Sequence, residues 1–260
     1  MDNEYNFPVA LMPIETKVKV PEGITLNVDV PKYRAVVRTD TNKPLGVVSN
    51  RYELLKHDDV ITGFRRALSG MDVAEKISVQ NDGAKLFAHY RLNAERVEVK
   101  EGDMVALQFV VKNSYDGSNA LQIMLGAYRL VCDNGMVIGK QFYTYSQKHI
   151  GSGVDVGQLS ERVGAMVSAF KDTLPTLQAM TQRNNLMTVE ELFDYNKLIM
   201  PNYLADQART EYIREGDTSV WGYYNALTYA ITHGMKKQNS EAAINFGKMA
   251  WSQAQELLKS

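Results

Sequence analysis

The chain has only one cysteine, Cys132, among its 260 residues. A single cysteine excludes an internal disulfide framework and a cysteine-based zinc site, and it is typical of proteins in a reducing compartment. No apolar run approaches the roughly 18 residues that a membrane-spanning helix needs. The first residues, MDNEYNF, also lack the basic start of a secretory signal. These absences predict a cytoplasmic protein with no membrane partner.

The usual motifs of catalysis and cofactor binding are missing too. No glycine-rich loop ends in Lys-Ser or Lys-Thr, and no GxSxG motif marks a serine nucleophile. The i, i+4 spacing of a helical metal site is absent from the four histidines, His57, His89, His149 and His233. We therefore expect a protein that is not an enzyme and that uses no metal or other cofactor. An enzyme site built from sequence-distant residues is a third hypothesis, after the two binding hypotheses below.

The charge is segregated along the chain, although the overall composition is ordinary. Hydrophobic residues make up 45% and charged residues 23%, as in many soluble globular proteins, and the net charge is −1. Residues 32–66 nevertheless contain eight lysines or arginines and only four acidic residues. A near-neutral chain does not adhere to nucleic acid over its whole surface, but such a basic segment predicts a local patch for phosphates.

The periodicity of the apolar residues changes near residue 158, and this change predicts an α+β fold. Residues 85–92 (KLFAHYRL) alternate in polarity, as a half-buried strand does. Further strands are predicted at residues 33–38, 45–49, 104–112 and 120–132, and a helix is predicted from His57 to about Leu68. We expect an antiparallel β-sheet with a packed helix in the N-terminal half and an α-helical C-terminal half. The predicted regions are residues 1–30 (an N-terminal extension), 31–157 (the β-rich core) and 158–260 (the helical region).

The C-terminal half has helical spacing throughout. A heptad-like stripe of apolar residues, spaced 4, 3, 4 and 3, predicts a helix over residues 160–183: Val163, Val167, Phe170, Leu174 and Leu177. Pro175 should kink or end this helix locally. Thr188 and Glu191 form a capping box for the next helix, which Pro201 should end. The spacing of apolar residues predicts two more helices, at residues 219–233 and 240–259. The stripe favours packing within one subunit over packing between subunits, because a coiled coil usually needs a longer run.

Residues 107–149 combine turn residues, polar side chains and aromatic residues. Within them, residues 113–118 (NSYDGS) predict a hairpin loop in which Asp116-Gly117 supplies positive φ, or alternatively a polar loop that presents Tyr115 to a ligand. Residues 140–149 (KQFYTYSQKH) combine basic and aromatic residues. Proteins hold single-stranded nucleic acid with cations along the phosphates and aromatic rings stacked on bases. The alternative is that these tyrosines cover a sheet face.

Four segments together resemble a known family: LGVVSNRYELLKHDDVI, NSYDGSNAL, RLVCDNGM and WGYYNALTYAITH. Their order and spacing resemble the uncharacterised phage/plasmid-like protein family, carried on prophages, plasmids and phage genomes. The resemblance covers about residues 30–235 and implies a mobile-element setting, with DNA recombination, replication or counter-defence as functions. The outline of hairpins, a helix and a helical region is also similar to Rad52-type single-strand annealing proteins, which is a likeness of fold alone.

These observations lead to the hypothesis of a single-stranded DNA-binding protein that promotes strand annealing as a homo-oligomer. The expected phosphate-binding residues are Lys32, Arg34, Arg38, Arg51, Arg65, Arg66, Arg129, Lys140 and Lys148. The residues expected to stack on bases are Tyr115, Tyr143 and Tyr145. A host or phage replication or recombination protein is a further expected partner. The alternative hypothesis is a protein-interaction module that inhibits or modulates a host factor in counter-defence, with the loop at residues 113–119 as the contact.

Overall fold

The computed structural model describes residues 4–21, 23–131, 134–136, 145–147, 156–185, 187–196, 200–235 and 240–260. Antiparallel sheets make up the N-terminal half and helices the C-terminal half, so the predicted α+β class is confirmed. In the described ranges, none of the helices is long and apolar enough to cross a membrane.

The strands form two antiparallel sheets. The first has three strands in the order β1 (Val9–Lys19), β2 (Thr25–Arg38) and β3 (Lys43–Ser49). The second sheet has six: β4 (Val73–Gln80), β5 (Lys85–Lys100), β6 (Asp103–Ser114), β7 (Leu121–Arg129), β8 (Asn134–Met136) and β9 (Tyr145–Gln147), with β8 and β9 both paired to β7. The predicted boundary at residue 30 falls inside β2, and residues before it form β1 rather than a separate extension.

Five of the six helices lie close to the positions that the sequence predicts, whereas α4 was not predicted. They are α1 (His57–Ala67), α2 (Val156–Gln182), α3 (Val189–Asn196), α4 (Asn202–Glu215), α5 (Val220–Tyr229) and α6 (Ser240–Lys259). A π-helical turn, Ala230–Gly234, continues α5. The capping box is confirmed: the Thr188 backbone N–H donates to Glu191 Oε2 at 2.9 Å. Pro175 lies inside α2 without ending it.

One hydrophobic core joins the six-stranded sheet to the helices. The alternating residues of β5, such as Leu86 and Tyr90, are buried on one face of the sheet, where the ring of Phe64 from α1 lies 4.6 Å from that of Tyr90. The same cluster contains Phe170 from α2 and Trp221 from α5. The apolar stripe of α2 therefore packs within the subunit. The predicted boundary at residue 157 falls inside α2.

A second, smaller core holds the three-stranded sheet against the rest of the molecule. Phe7, Val36, Leu45, Val48 and Tyr115 are buried in it. The sheet is close enough that a Cβ atom on Gly46 would collide with the backbone of Asp116. The loop after β6 therefore packs directly on β3, and Gly117 at its tip has φ 73°, as the predicted Asp-Gly turn requires.

Candidate nucleic-acid interface

Three cations of the predicted basic segment lie together where β2 and β3 pair. Arg34 is opposite Val48 in the ladder, and the backbone N–H of Asn50 donates to the carbonyl of Lys32 at 3.0 Å. Arg51 follows Asn50 directly, and the side chains of Lys32, Arg34 and Arg51 are all exposed. Within the described ranges, no acidic side chain pairs with them. The three cations therefore keep their charge available for an anion.

An exposed aromatic side chain that the sequence pattern did not single out lies on the same strand, and the alternation of side chains places it on the face opposite to Lys32 and Arg34. Tyr33 stands between Lys32 and Arg34 in β2, is opposite Ser49, and is 51% exposed. The ring is therefore accessible for stacking on a base. The triplet Lys-Tyr-Arg, read as cation, ring and cation, is the sequence signal that could have identified it.

Two other arginines of the predicted site are already neutralised. The Arg38 guanidinium donates to both carboxylate oxygens of Asp40, at 2.9 and 3.1 Å, and its Cζ lies 4.0 Å from the centre of the Phe7 ring. These hydrogen bonds lower the pKa of Asp40. Arg65 donates to both carboxylate oxygens of Glu75 at 3.0 and 2.6 Å, which raises the pKa of Arg65. Both are poorer phosphate ligands than the three cations on the sheet.

Arg66 is exposed but stands apart from the cations on the sheet. It lies in the last turn of α1, whereas Arg51 precedes the start of that helix. At 1.5 Å per residue, the two ends of α1 are roughly 15 Å apart. Arg66 therefore contributes to the same site only if the ligand extends along α1.

Tyr115 does not have the predicted role, because its ring is buried. Its exposure is 1%, and the ring stacks on His57 with the ring centres 3.9 Å apart. The hydroxyl accepts a hydrogen bond from the His57 backbone N–H at 2.7 Å. Burial raises the pKa of Tyr115. The prediction that Tyr115 stacks on a base is wrong. Of the two interpretations of residues 113–118, the structure agrees with the hairpin loop and not with a loop that presents Tyr115 to a ligand.

Arg129 is also buried, and the prediction that it binds phosphate is wrong. Its Nε donates to Asp103 Oδ1 at 2.8 Å, and its Nη1 donates to Glu215 at 3.2 Å. The Trp221 indole N–H donates to the same Asp103 carboxylate at 2.9 Å. This network joins β6 and β7 to α4 and α5, so Arg129 acts as a structural link between sheet and helices.

Of the remaining predicted site residues, three are outside the described residues and one is described by its backbone pairing alone. Lys140, Tyr143 and Lys148 are outside the described residues. Tyr145 is in β9, where its backbone pairs with Ile123 of β7.

No arrangement of metal ligands stands out in the part of the chain that the structure describes. There, no three histidine, cysteine or acidic side chains lie together as a metal site requires. His57 is fully buried, with Nε2 2.9 Å from the Gly83 carbonyl and Nδ1 3.0 Å from the Asn113 amide nitrogen. Both of its ring nitrogens thus have partners within the fold, and His57 has a structural role.

Comparison with known proteins identifies a family without assigning it a function. No solved structure matches this chain. Residues 44–251, which cover most of β3, the six-stranded sheet and most of the helical half, match the model of a family described as Domain of unknown function (DUF932), and the chain therefore belongs to that family.

Proposed function

We propose that this chain is a non-enzymatic, single-stranded DNA-binding protein of a phage or other mobile element, which acts in the host cytoplasm and promotes strand annealing in recombination. The observation that carries the proposal is the group of exposed cations Lys32, Arg34 and Arg51, which have no acidic partner among the described residues, together with the exposed ring of Tyr33 on the other face of the same strand. Membership of an uncharacterised family is consistent with the resemblance to phage and plasmid proteins that the sequence analysis gives.

The proposed site has both components of single-strand binding. Each cation that contacts a phosphate releases counterions, and each contact adds about −0.7 to the slope of log affinity against log salt. Three cations therefore predict a slope of about −2. A tyrosine stacked on a base contributes about 1–3 kcal/mol with little preference for the base. A strand held in this way keeps its base edges exposed, as annealing requires.

The proposal is tested by fluorescence anisotropy with a labelled oligothymidine at about 50 mM salt, where phosphate contacts are strong. Tyr33→Ala should raise Kd about 5- to 150-fold, because it removes one stacking contact. Tyr203→Ala is the matched control, since Tyr203 is 56% exposed on α4, away from the three-stranded sheet. Absence of binding by the wild type, or equal losses in the two variants, would contradict the proposal.

A specific observation also favours the alternative of a host-protein partner. Met12, Ala35 and Val47 are aligned across the three strands, and Met12 and Val47 are 39% and 60% exposed. Such an apolar patch is typical of protein-binding surfaces. Capture of one stoichiometric host protein, abolished by Val47→Asp, together with no DNA binding, would establish this alternative.

A further inference from the structure

The hairpin formed by β1 and the first part of β2 extends beyond the three-stranded sheet. β3 pairs only with residues 33–38 of β2, whereas β1 continues in register with β2 from Glu15↔Asp29 to Lys19↔Thr25. The turn is closed by a hydrogen bond from Val20 N–H to the Ile24 carbonyl at 2.9 Å. We call residues 15–29 the ribbon. Among the described residues, no third strand pairs with it.

One face of the ribbon is apolar and exposed. Val18 is opposite Leu26 and Thr16 is opposite Val28, so these residues share a face. Val18, Leu26 and Val28 are 41%, 48% and 43% exposed. With Ile24, the ribbon holds four of the twelve large hydrophobic side chains that are exposed in the described residues. A two-stranded ribbon alone is only marginally stable in water, and three or more strands are usually needed.

The opposite face of the ribbon has its charges separated along its length. Glu15 and Asp29 are opposite each other at the base, and Lys17 and Lys19 follow towards the turn. The base is therefore acidic and the turn end is basic. A ribbon of this kind is complementary to a copy of itself that runs in the opposite direction.

We propose that the ribbon pairs with the ribbon of a second copy of this chain, β1 against β1, in antiparallel register about a two-fold axis at Thr16. This register places Lys17 opposite Glu15 of the second copy, and Glu15 opposite its Lys17. A shift of two residues in one direction would place Glu15 opposite Glu15, and in the other direction it would place Lys17 opposite Lys17, with Glu15 then opposite Lys19 of the second copy. Each shifted register therefore contains a pair of like charges directly opposite each other, which is destabilising, and the proposed register contains none. The contact is isologous, as expected of a two-fold dimer.

The length of the free edge selects the same register. The ladder between β1 and β2 shifts between Pro13 and Glu15, and β1 ends at Lys19, so its outer part runs from residue 13 to residue 19. Thr16 is the midpoint of that segment. Pro13, which has no N–H to donate, then lies at the end of the new ladder, where strands tolerate proline. The result is one four-stranded sheet in place of two isolated ribbons.

The dimer does not depend on DNA binding, and its test uses the full chain alone. Sedimentation velocity should show a monomer–dimer equilibrium between about 1 and 100 µM, the range expected for a small interface. Lys17→Glu and Glu15→Lys should each raise the dimer Kd about tenfold or more, because each creates two like-charge pairs. An equimolar mixture of the two variants should recover the dimer, because the mixed pair restores both attractions.

Lys19→Glu is the matched control for this experiment. It makes the same change of charge on the same face of the ribbon, but residue 19 is opposite Pro13 of the second copy, so the dimer Kd should stay within about twofold of that of the wild type. A wild type that stays monomeric at the highest concentration would overturn the proposal. A mixture that fails to dimerise, or a Lys19→Glu variant as weak as Lys17→Glu, would also overturn it.

Discussion

Replacement of Arg129 with methionine removes the cation that neutralises a buried carboxylate. Asp103 accepts three hydrogen bonds from Arg129, at 2.8, 2.9 and 3.1 Å, and one from the Trp221 indole at 2.9 Å. The side chains of Arg129 and Asp103 are only 7% and 4% exposed. In the variant, Asp103 keeps one donor and no counter-charge in a site that water hardly reaches. The free energy of unfolding should therefore fall sharply.

The expected loss is about 3–5 kcal/mol, the cost of leaving one partner of a buried ion pair without the other. Asp103→Asn in the same background should recover part of it, because the amide has no charge and still accepts from Trp221. The coupling between the two substitutions in a double-mutant cycle should be about 1–3 kcal/mol. Arg65→Met is the matched control: the pair of Arg65 and Glu75 is exposed and should contribute no more than about 1 kcal/mol.

Urea unfolding followed by circular dichroism measures these differences. A loss below about 1 kcal/mol for Arg129→Met, or additive effects in the cycle, would refute the structural role of the network. The folded Arg129→Met variant should bind the oligothymidine as tightly as the wild type does, because Arg129 does not reach the surface. A lower affinity for the oligothymidine without a change of fold would show that Arg129 does contribute to DNA binding.

Two further predictions concern positions in the N-terminal half. Burial and the nearby Lys76 ammonium lower the pKa of His89 to about 4, so only the unfolded state takes up a proton on this histidine as the pH falls from about 6.5 to about 4. The wild type should lose up to about 3 kcal/mol over that interval relative to His89→Asn, and parallel pH profiles of unfolding free energy would contradict this. Gly83 has φ 103°, and a Cβ there would collide with the Phe7 ring, so Gly83→Ala should cost about 2 kcal/mol or more. Gly70→Ala, at φ 84° with open space around it, should cost less, and equal shifts in urea midpoint would refute the collision.

The sequence predicts those elements whose pattern follows from burial on one face. The alternation of Leu86 and Tyr90 predicts β5 because these residues pack on α1 and the helical half. The capping box of Thr188 and Glu191 predicts the start of α3 because it needs only local hydrogen bonds. The hydrogen bonds of the capping box lie within a few residues of the signal, whereas the alternation of β5 shows only that one face is buried and not which elements cover it.

Two prolines show where local rules are insufficient. Pro175 should disturb α2, but it is exposed, so the carbonyl group that loses its donor in the helix can bond to water. From the sequence, Pro201 is interpreted as the residue that ends a helix. In the structure it is the N-cap of α4, a helix that the sequence pattern does not predict. The fixed φ of proline suits both positions, so the residue alone does not distinguish them.

The errors in the candidate site come from long-range contacts. Tyr115 is buried by His57, which is 58 residues away in sequence, and Arg129 is held by Glu215, which is 86 residues away. Neither partner is apparent from the neighbouring residues. Lys32 and Arg34 in β2 and Arg51 in the turn after β3 are exposed, in contrast, and their role in binding stays a prediction.

The shared hydrophobic core has a consequence for how the chain unfolds. Residues from the six-stranded sheet and from α2, α4, α5 and α6 belong to one cluster, and Trp251 near the C-terminal end of the chain is as buried as Phe109 in the middle of the sheet. Separation of the helical half would expose the apolar side chains of both halves to water at once. Sheet and helices should therefore melt together, in a single calorimetric transition whose van't Hoff and calorimetric enthalpies agree.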